Sequence, residues 1–302
     1  MWALLALFAA ARAYAPAPAL CAGALTISID GAPSAWQVAT AAWSHTSASG
    51  ASLTLNYNER AYLVSACAPG SDFSAGMFSQ RFPMAGRVWN FTVDLSSASC
   101  GCNAAMYAVA MPAVGAGGAP DPSSSGDFYC DANDVSQLWC TEVDLLEANT
   151  AAMAATPHRC QAAQPSGFVP GCDRGGCSVN SKATAGRFGP GSAFAVDTRR
   201  PFTVSTAFPL TASGDIAAVS TLVAQPGSAG FAMQHTEATC GAGYFRNMTL
   251  PLREGMVPVF SVWGDRDSGS GMSWLDVPPC SPAQGCGASV RAIFSDISFS
   301  SL

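Results

Sequence analysis

The stretch Trp139-Cys-Thr-Glu-Val-Asp-Leu-Leu-Glu-Ala-Asn149 sets three acids, Glu142, Asp144 and Glu147, into an otherwise apolar run of a chain that is only 11% charged. A strand presents residues i and i+2 on one face, so Glu142 and Asp144 point together while Glu147, at i+5, falls on the other. One extra residue, a β-bulge at Leu145-Leu146, restores Glu147 to the shared face. Five steps of a flat strand still part the Cα atoms by roughly 16 Å. Only a curved, concave sheet lets the three carboxyls act together. Their apolar neighbours Trp139, Val143, Leu145 and Leu146 would desolvate them, and with mutual repulsion this raises at least one carboxyl pKa.

Working outward, period-two runs recur: Leu25–Ile29, Ser52–Tyr57, Trp89–Leu95, Ala105–Met111, Phe194–Asp197, Phe202–Phe208, Val257–Trp263 and Val290–Phe299. Short runs of this kind between Gly, Pro and Ser turns predict an antiparallel β-sandwich. Helical periodicity is scarce, and Asn149–Ala155 is the one short helical turn expected. The Gly- and Pro-rich stretch Ala113–Gly126 reads as a loop rather than a linker. The 302 residues carry no repeat or charged tail, and they fit one large all-β domain.

A net charge of −6 and the absence of clustered cations argue against a nucleic-acid partner. The apolar run Trp2–Ala11 ends in Ala11-Arg12-Ala13 and is too short to span a bilayer, which predicts a signal peptide over residues 1–13. No later segment predicts a membrane span. Twelve cysteines after an export signal suggest disulfides, and neither Cys172-x4-Cys177 nor Cys100-x-Cys102 has the second Cys/His pair a zinc site needs. Asn90-Phe-Thr and Asn247-Met-Thr are glycosylation sequons. The expected protein is secreted and monomeric, with no membrane partner.

Paired carboxyl groups in an apolar setting suit glycoside hydrolysis, where one must be protonated and the other ionised. The flanks then carry a resemblance. Cys140-Thr-Glu-Val-Asp-Leu-Leu-Glu-Ala-Asn149 and Thr156-Pro-His-Arg-Cys160 resemble the C-[ST]-E-x-D-x-x-E-A-N and T-P-H-x-C segments of glycoside hydrolase family 7, the cellobiohydrolases and endoglucanases. Phe91–Leu95, Cys100–Tyr107, Tyr129–Asp131, Cys172–Cys177, Phe188–Thr198, Phe260–Trp263, Trp274–Asp276 and Ile293–Phe299 continue it in the family's order. The resemblance runs from about residue 50 to the C-terminus. It implies a concanavalin A-like jelly roll over residues 14–302, a substrate cleft on its concave face, and no separate carbohydrate-binding module.

By the same resemblance Glu142 is the nucleophile, Glu147 the acid/base and Asp144 the carboxyl that orients the nucleophile. His158 adjoins them, and Asn103, Tyr107, Tyr129 and Asp131 line the cleft; the family's Gln two residues past that Asp is Asn133 here. Trp263 and Trp274 match family tryptophans as sugar platforms, since indole faces suit the C–H faces of pyranoses. Trp36 and Trp43 are further candidates in a poorly matched N-terminal region. Implied disulfides are Cys130–Cys140, Cys160–Cys172 and Cys177–Cys240, with one of Cys100/Cys102 joined to one of Cys280/Cys286; whether Cys21 and Cys67 form an extra bridge the sequence leaves open. No cofactor and no metal are implied.

The departures bear on activity. Asp134 and Trp139 stand where the family has a cysteine pair, which is what a deleted bridge looks like, and Trp139 reads as packing. Only 11 residues separate Cys160 from Cys172, and no arginine stands at the matching points before Cys172, Cys280 or Cys286. A trimmed rim implies an open groove and endo cleavage of a β-1,4-glucan. The alternatives are a family 16-like β-1,3 or mixed-linkage glucanase, whose acidic motif this segment also satisfies, and a lectin-like sandwich without catalysis.

Overall fold

The computed structural model describes residues 14–183, 186–266, 272–278, 280 and 284–302. The expected signal peptide, residues 1–13, lies outside them. Strand alternation organises the rest. Arg87–Asp94 buries Trp89, Phe91 and Val93 and leaves the residues between them half-buried, the signature of a sheet with one wet face. Cys102–Val109 is instead buried along its whole length. One of its faces meets the core, and the other forms a floor.

A single hydrogen-bonded path runs through both layers of the sandwich. The inner layer follows the order Val179–Asn180, Met153–His158, Glu142–Ala148, Cys102–Val109, Val257–Gly264, Glu59–Val64, Ala32–Ala41 and Ala19–Ile29. The outer layer continues with Arg291–Ser301, Arg87–Asp94, Phe202–Ala207, Ala218–Ala224 and Phe231–Thr236. Neighbours are antiparallel except where the layers join: Ala19–Ile29 pairs parallel with Arg291–Ser301 through Ser28↔Ser298 and Ile29↔Phe299. At the far edge the layers meet again, where His235 Nε2 lies 3.0 Å from the Ala155 carbonyl. The result is the expected curved jelly roll, folded nearly into a barrel.

The core between the layers interlocks aromatic rings, with Phe260 of the inner layer 5.1 Å from Phe294 of the outer, and Trp89 5.3 Å from Phe82 and 5.1 Å from Phe299. Each such side chain contributes about 1.5–3 kcal/mol on burial. Trp36 belongs to this core and not to a sugar platform: its ring packs 4.4 Å from Phe82, and it shares its strand face with buried Val38. Strand parity turns residues 36 and 38 away from the concave side, which corrects the expectation.

The bulge sits at Leu145-Leu146. Asp144 pairs with Tyr107 and Leu146 with Met106, so Leu145 has no partner in that ladder. On the other side Asp144 pairs with Thr156 and Glu147 with Ala154, again one residue out of step. Both leucines are fully buried in the core, and Glu147 returns to the face of Glu142 and Asp144. The expected helical turn after it is absent. Asn149 Oδ1 instead accepts the N–H groups of Ala151 and Ala152 at 2.9 and 3.1 Å, closing a tight turn into the strand Met153–His158. The regular helix of note, Arg246–Glu254, lies elsewhere and was not legible as a periodic pattern. Of Phe194–Asp197, only Val196–Asp197 is strand.

Six disulfides use all twelve cysteines: Cys21–Cys67, Cys100–Cys280, Cys102–Cys286, Cys130–Cys140, Cys160–Cys172 and Cys177–Cys240. Both members of the Cys100/Cys102 pair are therefore bridged. Such density fits folding in an oxidising, extracytoplasmic compartment. Among the described residues no helix is long and apolar enough to cross a membrane. Of the two sequons, Asn247 is exposed on its helix, whereas Asn90 is half-buried with Nδ2 3.4 Å from Ser298 Oγ.

Candidate active site

The concave face holds a cleft of about 1400 Å³ that crosses the inner-layer strands. Glu142, Asp144 and Glu147 line its centre, together with Tyr107, Tyr129, Asp131, Asn133 and His158. Trp43, Trp263 and Trp274 line it too, each with 40% or more of its surface open. Asn103 lies beneath the floor, fully buried. The chain thus brings together every candidate site residue except Trp36.

Each acid has its own set of partners. Glu142 Oε2 accepts the Ala132 N–H at 3.0 Å. Asp144 Oδ2 lies 3.0 Å from His158 Nε2, whose Nδ1 faces the Asp173 carbonyl at 2.9 Å. Glu147 Oε1 accepts from Asn103 Nδ2 at 2.9 Å. Gly176, at φ +58°, lets the chain pass close to His158: a Cβ there would stand 2.7 Å from the imidazole.

Burial raises all three carboxyls above their ordinary range, and the Asp144 charge adds to the rise for both Glu142 and Glu147. Burial works against a charged His158, yet the hydrogen bond and charge of Asp144 outweigh it and hold the pKa up to about 10. The two partners respond differently, since Asp144 itself stays raised by its burial. Geometry decides for the charged imidazole, because both ring nitrogens face acceptors. Asp144 and His158 then form an ion pair at the floor. Glu142, close to that imidazolium and bound by a backbone N–H, is the glutamate better held as an anion. Glu147 accepts its hydrogen bond from the neutral Asn103 amide and feels the His158 charge only after it, which makes it the better proton carrier.

One ligand atom each from Glu142, Asp144 and His158 lies within 4.8 Å of the others, close enough to embrace a cation. A metal would first have to displace the proton that His158 shares with Asp144, so the set is built as an acid–imidazolium pair rather than an open ligand shell.

Several cleft residues escaped the sequence reading. Arg60 stacks over the Tyr129 ring at 3.7 Å and pairs with Asp127 at 2.8 Å. Tyr62 donates to the same carboxylate at 2.6 Å, and the phenols of Tyr107 and Tyr129 meet at 3.0 Å. Ser261 lines the cleft with a buried hydroxyl that has no hydrogen-bond partner among the described residues. Arg174 and Lys182 line the rim beyond His158. The available signal was a cation inside an apolar run, Glu59-Arg-Ala-Tyr-Leu-Val64, which belongs on a strand only if something receives it.

Residues 136–238 match the family model described as glycosyl hydrolase family 7. A probable endo-beta-1,4-glucanase, celB, of Aspergillus clavatus is 34% identical over 244 residues, 65% of this chain and 57% of that protein. Endoglucanase EG-1 of Trichoderma longibrachiatum is 30% identical over 282 residues, 81% of this chain and 58% of that protein. The chain thus spans less than two thirds of the length of these relatives. Among solved structures, an endoglucanase I complexed with cellobiose superposes with TM-score 0.72 at 18% identity, covering 96% of this chain and 98% of that one. A family 7 cellobiohydrolase from Daphnia pulex gives 0.69 at 21% identity, with coverage of 96% and 98%. At these identities the superpositions speak for the fold.

Proposed function

We propose that the chain is a member of glycosyl hydrolase family 7 and a secreted, retaining endo-β-1,4-glucanase whose substrate is cellulose or a related β-glucan. Residues 14–302 form its single catalytic domain. The observation that carries this reading is the bulge, which sets Glu142 and Glu147 on one face of a concave cleft.

Glu142, as carboxylate, attacks the anomeric carbon, while Glu147 gives its proton to the departing glycosidic oxygen. The C–O bond to the leaving chain breaks as the glycosyl ester forms. Glu147, now ionised, takes a proton from water, and the hydroxide oxygen displaces Glu142 from the sugar. Two inversions return the original anomer. Asp144 holds His158 as imidazolium, and that charge favours the anionic nucleophile in the resting site.

Endo action is supported by the breadth of the groove. Trp43, Trp263 and Trp274 are open to solvent at 62%, 40% and 41%, surface that an enclosed tunnel would cover. The test is a hydrolysis screen over soluble β-glucans and xylan, with viscosity loss compared against reducing-end release. Rapid viscosity loss on a β-1,4-glucan is expected, absent in Glu142→Gln and Glu147→Gln. Near-normal turnover by either variant sinks the catalytic assignment, and slow viscosity loss with cellobiose as the main product sinks the endo reading.

A further inference from the structure

Charge around the cleft is unevenly spent. Arg60, at the Tyr129 end, is neutralised by Asp127 at 2.8 Å. The rim beyond His158 holds two more cations, exposed Arg174 and exposed Lys182, the only lysine in the chain. Neither forms an ion pair among the described residues. The acids on neighbouring segments are already engaged. Asp173 accepts from Gly176 N and from the Tyr244 hydroxyl at 3.2 and 3.1 Å. Asp276 accepts from Asn149 Nδ2 and from Gly101 N at 2.6 and 3.1 Å.

Placement gives these cations meaning. Val179–Asn180 pairs with Met153–His158, which pairs with the acid-bearing strand. Lys182 therefore follows two strand spacings past the acids, roughly 10 Å along the groove. The anchor is firm on one side, since Asn180 Nδ2 donates to the Leu275 carbonyl at 3.2 Å, on the segment that carries Trp274. A neutral glucan offers these two cations only hydroxyl acceptors and leaves both charges unbalanced. A carboxylate or sulfate on the sugar balances them: the guanidinium fork suits a planar anion, and the ammonium adds a point charge.

We propose that Arg174 and Lys182 form a subsite for an anionic substituent of the glycan, making the enzyme selective for β-glucans that carry carboxylate or sulfate groups. This rests on the glucanase reading above and adds a substrate class to it. The test measures kcat/KM on hydroxyethyl cellulose, carboxymethyl cellulose and cellulose sulfate of matched substitution, for the wild type and for the double variant Arg174→Gln/Lys182→Gln.

The ratio of anionic to neutral substrate is expected to fall about threefold to tenfold in the double variant, the scale of two exposed ion pairs. Added salt should lower the ratio in the wild type and leave it flat in the double variant. Whichever anionic polymer loses more identifies the substituent. Equal ratios in wild type and double variant on both anionic polymers overturn the subsite while leaving the glucanase intact. If the wild type hydrolyses none of the three, the glucanase reading falls and the subsite with it.

Discussion

Replacing Asn103 with leucine isolates the proton carrier. Asn103 is fully buried, and its Nδ2 donates to Glu147 Oε1 at 2.9 Å, whereas its Oδ1 has no partner among the described residues. Asn103→Leu keeps nearly the same shape and removes the donor to Glu147 Oε1, which the half-buried carboxyl at the cleft can replace only with water. A hydrogen bond to a charged acceptor contributes about 1.5–3 kcal/mol and one to a neutral acceptor about 0.5–1.5 kcal/mol. The amide thus favours the ionised form of Glu147 by about 1–1.5 kcal/mol, close to one pH unit at 1.36 kcal/mol per unit. Burial already holds Glu147 well above the ordinary glutamate range, with the Asn103 donor pulling it down. Removing that donor raises the pKa further. In the proposed mechanism the acid is protonated when the leaving group departs, so the alkaline limb of kcat/KM should move up by about one unit. The assay is kcat/KM against pH on a soluble β-1,4-glucan, with near-UV circular dichroism to verify the fold. A limb that stays put, or moves down, in a folded variant refutes the assignment of Glu147 as acid.

His158 supplies a second test. Its pKa is raised from 6.5 to about 10, so its pairing stabilises the fold fully below pH 6.5 and is lost as pH rises through about 10. Urea unfolding between pH 6 and 10 should show that decline in the wild type and a flatter profile in His158→Gln. Gly176→Ala places a methyl group 2.5 Å from Thr156 Cγ2 and 2.7 Å from the imidazole at φ +58°, so kcat should drop at least tenfold, with a smaller loss of melting temperature. Glu147→Gln should melt higher than the wild type at pH 7 and no higher near pH 4. A carboxyl whose folded pKa is raised costs stability above its unfolded pKa, and an amide avoids that cost. Asp144→Asn should melt lower at pH 7, since it strips a buried imidazolium of its partner 3.0 Å away.

Three outer-layer strands are legible because they are wet on one side. Trp89–Leu95, Phe202–Phe208 and Val290–Phe299 alternate in sequence, and all three become strands with one buried face. The inner layer has no water on its core side and a polar cleft on the other, so its alternation is uneven: Leu25–Ile29, Ala105–Met111 and Val257–Trp263 read as strands and others do not. Glu59–Val64 and Met153–His158 read as mixed apolar runs and passed unnoticed, although they carry Arg60 and His158. Asn149–Ala155 was misread for a related reason: alanine-rich sequence favours helix locally, and the Asn149 side chain overrides it by capping a turn. Trp36 shows the limit of residue type alone. An indole serves core and sugar equally well, and only strand parity sends residue 36 to Phe82 while Trp43, past the strand end, reaches the cleft.

The acidic stretch was read correctly because its misfit was informative. A regular strand from Glu142 to Ala148 must choose between burying Leu145 or Leu146 and presenting Glu147 to the cleft. The bulge removes that choice: two consecutive leucines enter the core, and three carboxyls enter the groove. Concentrating like charges in a buried floor raises all their pKa values, which by itself works against an ionised nucleophile. His158 and the Ala132 N–H act against that uniformity on the Glu142 and Asp144 side. Glu147 takes its hydrogen bond from a neutral amide, with the His158 charge a smaller influence. One strand irregularity brings the acids together, and the unequal partners around them are what separate a nucleophile from an acid.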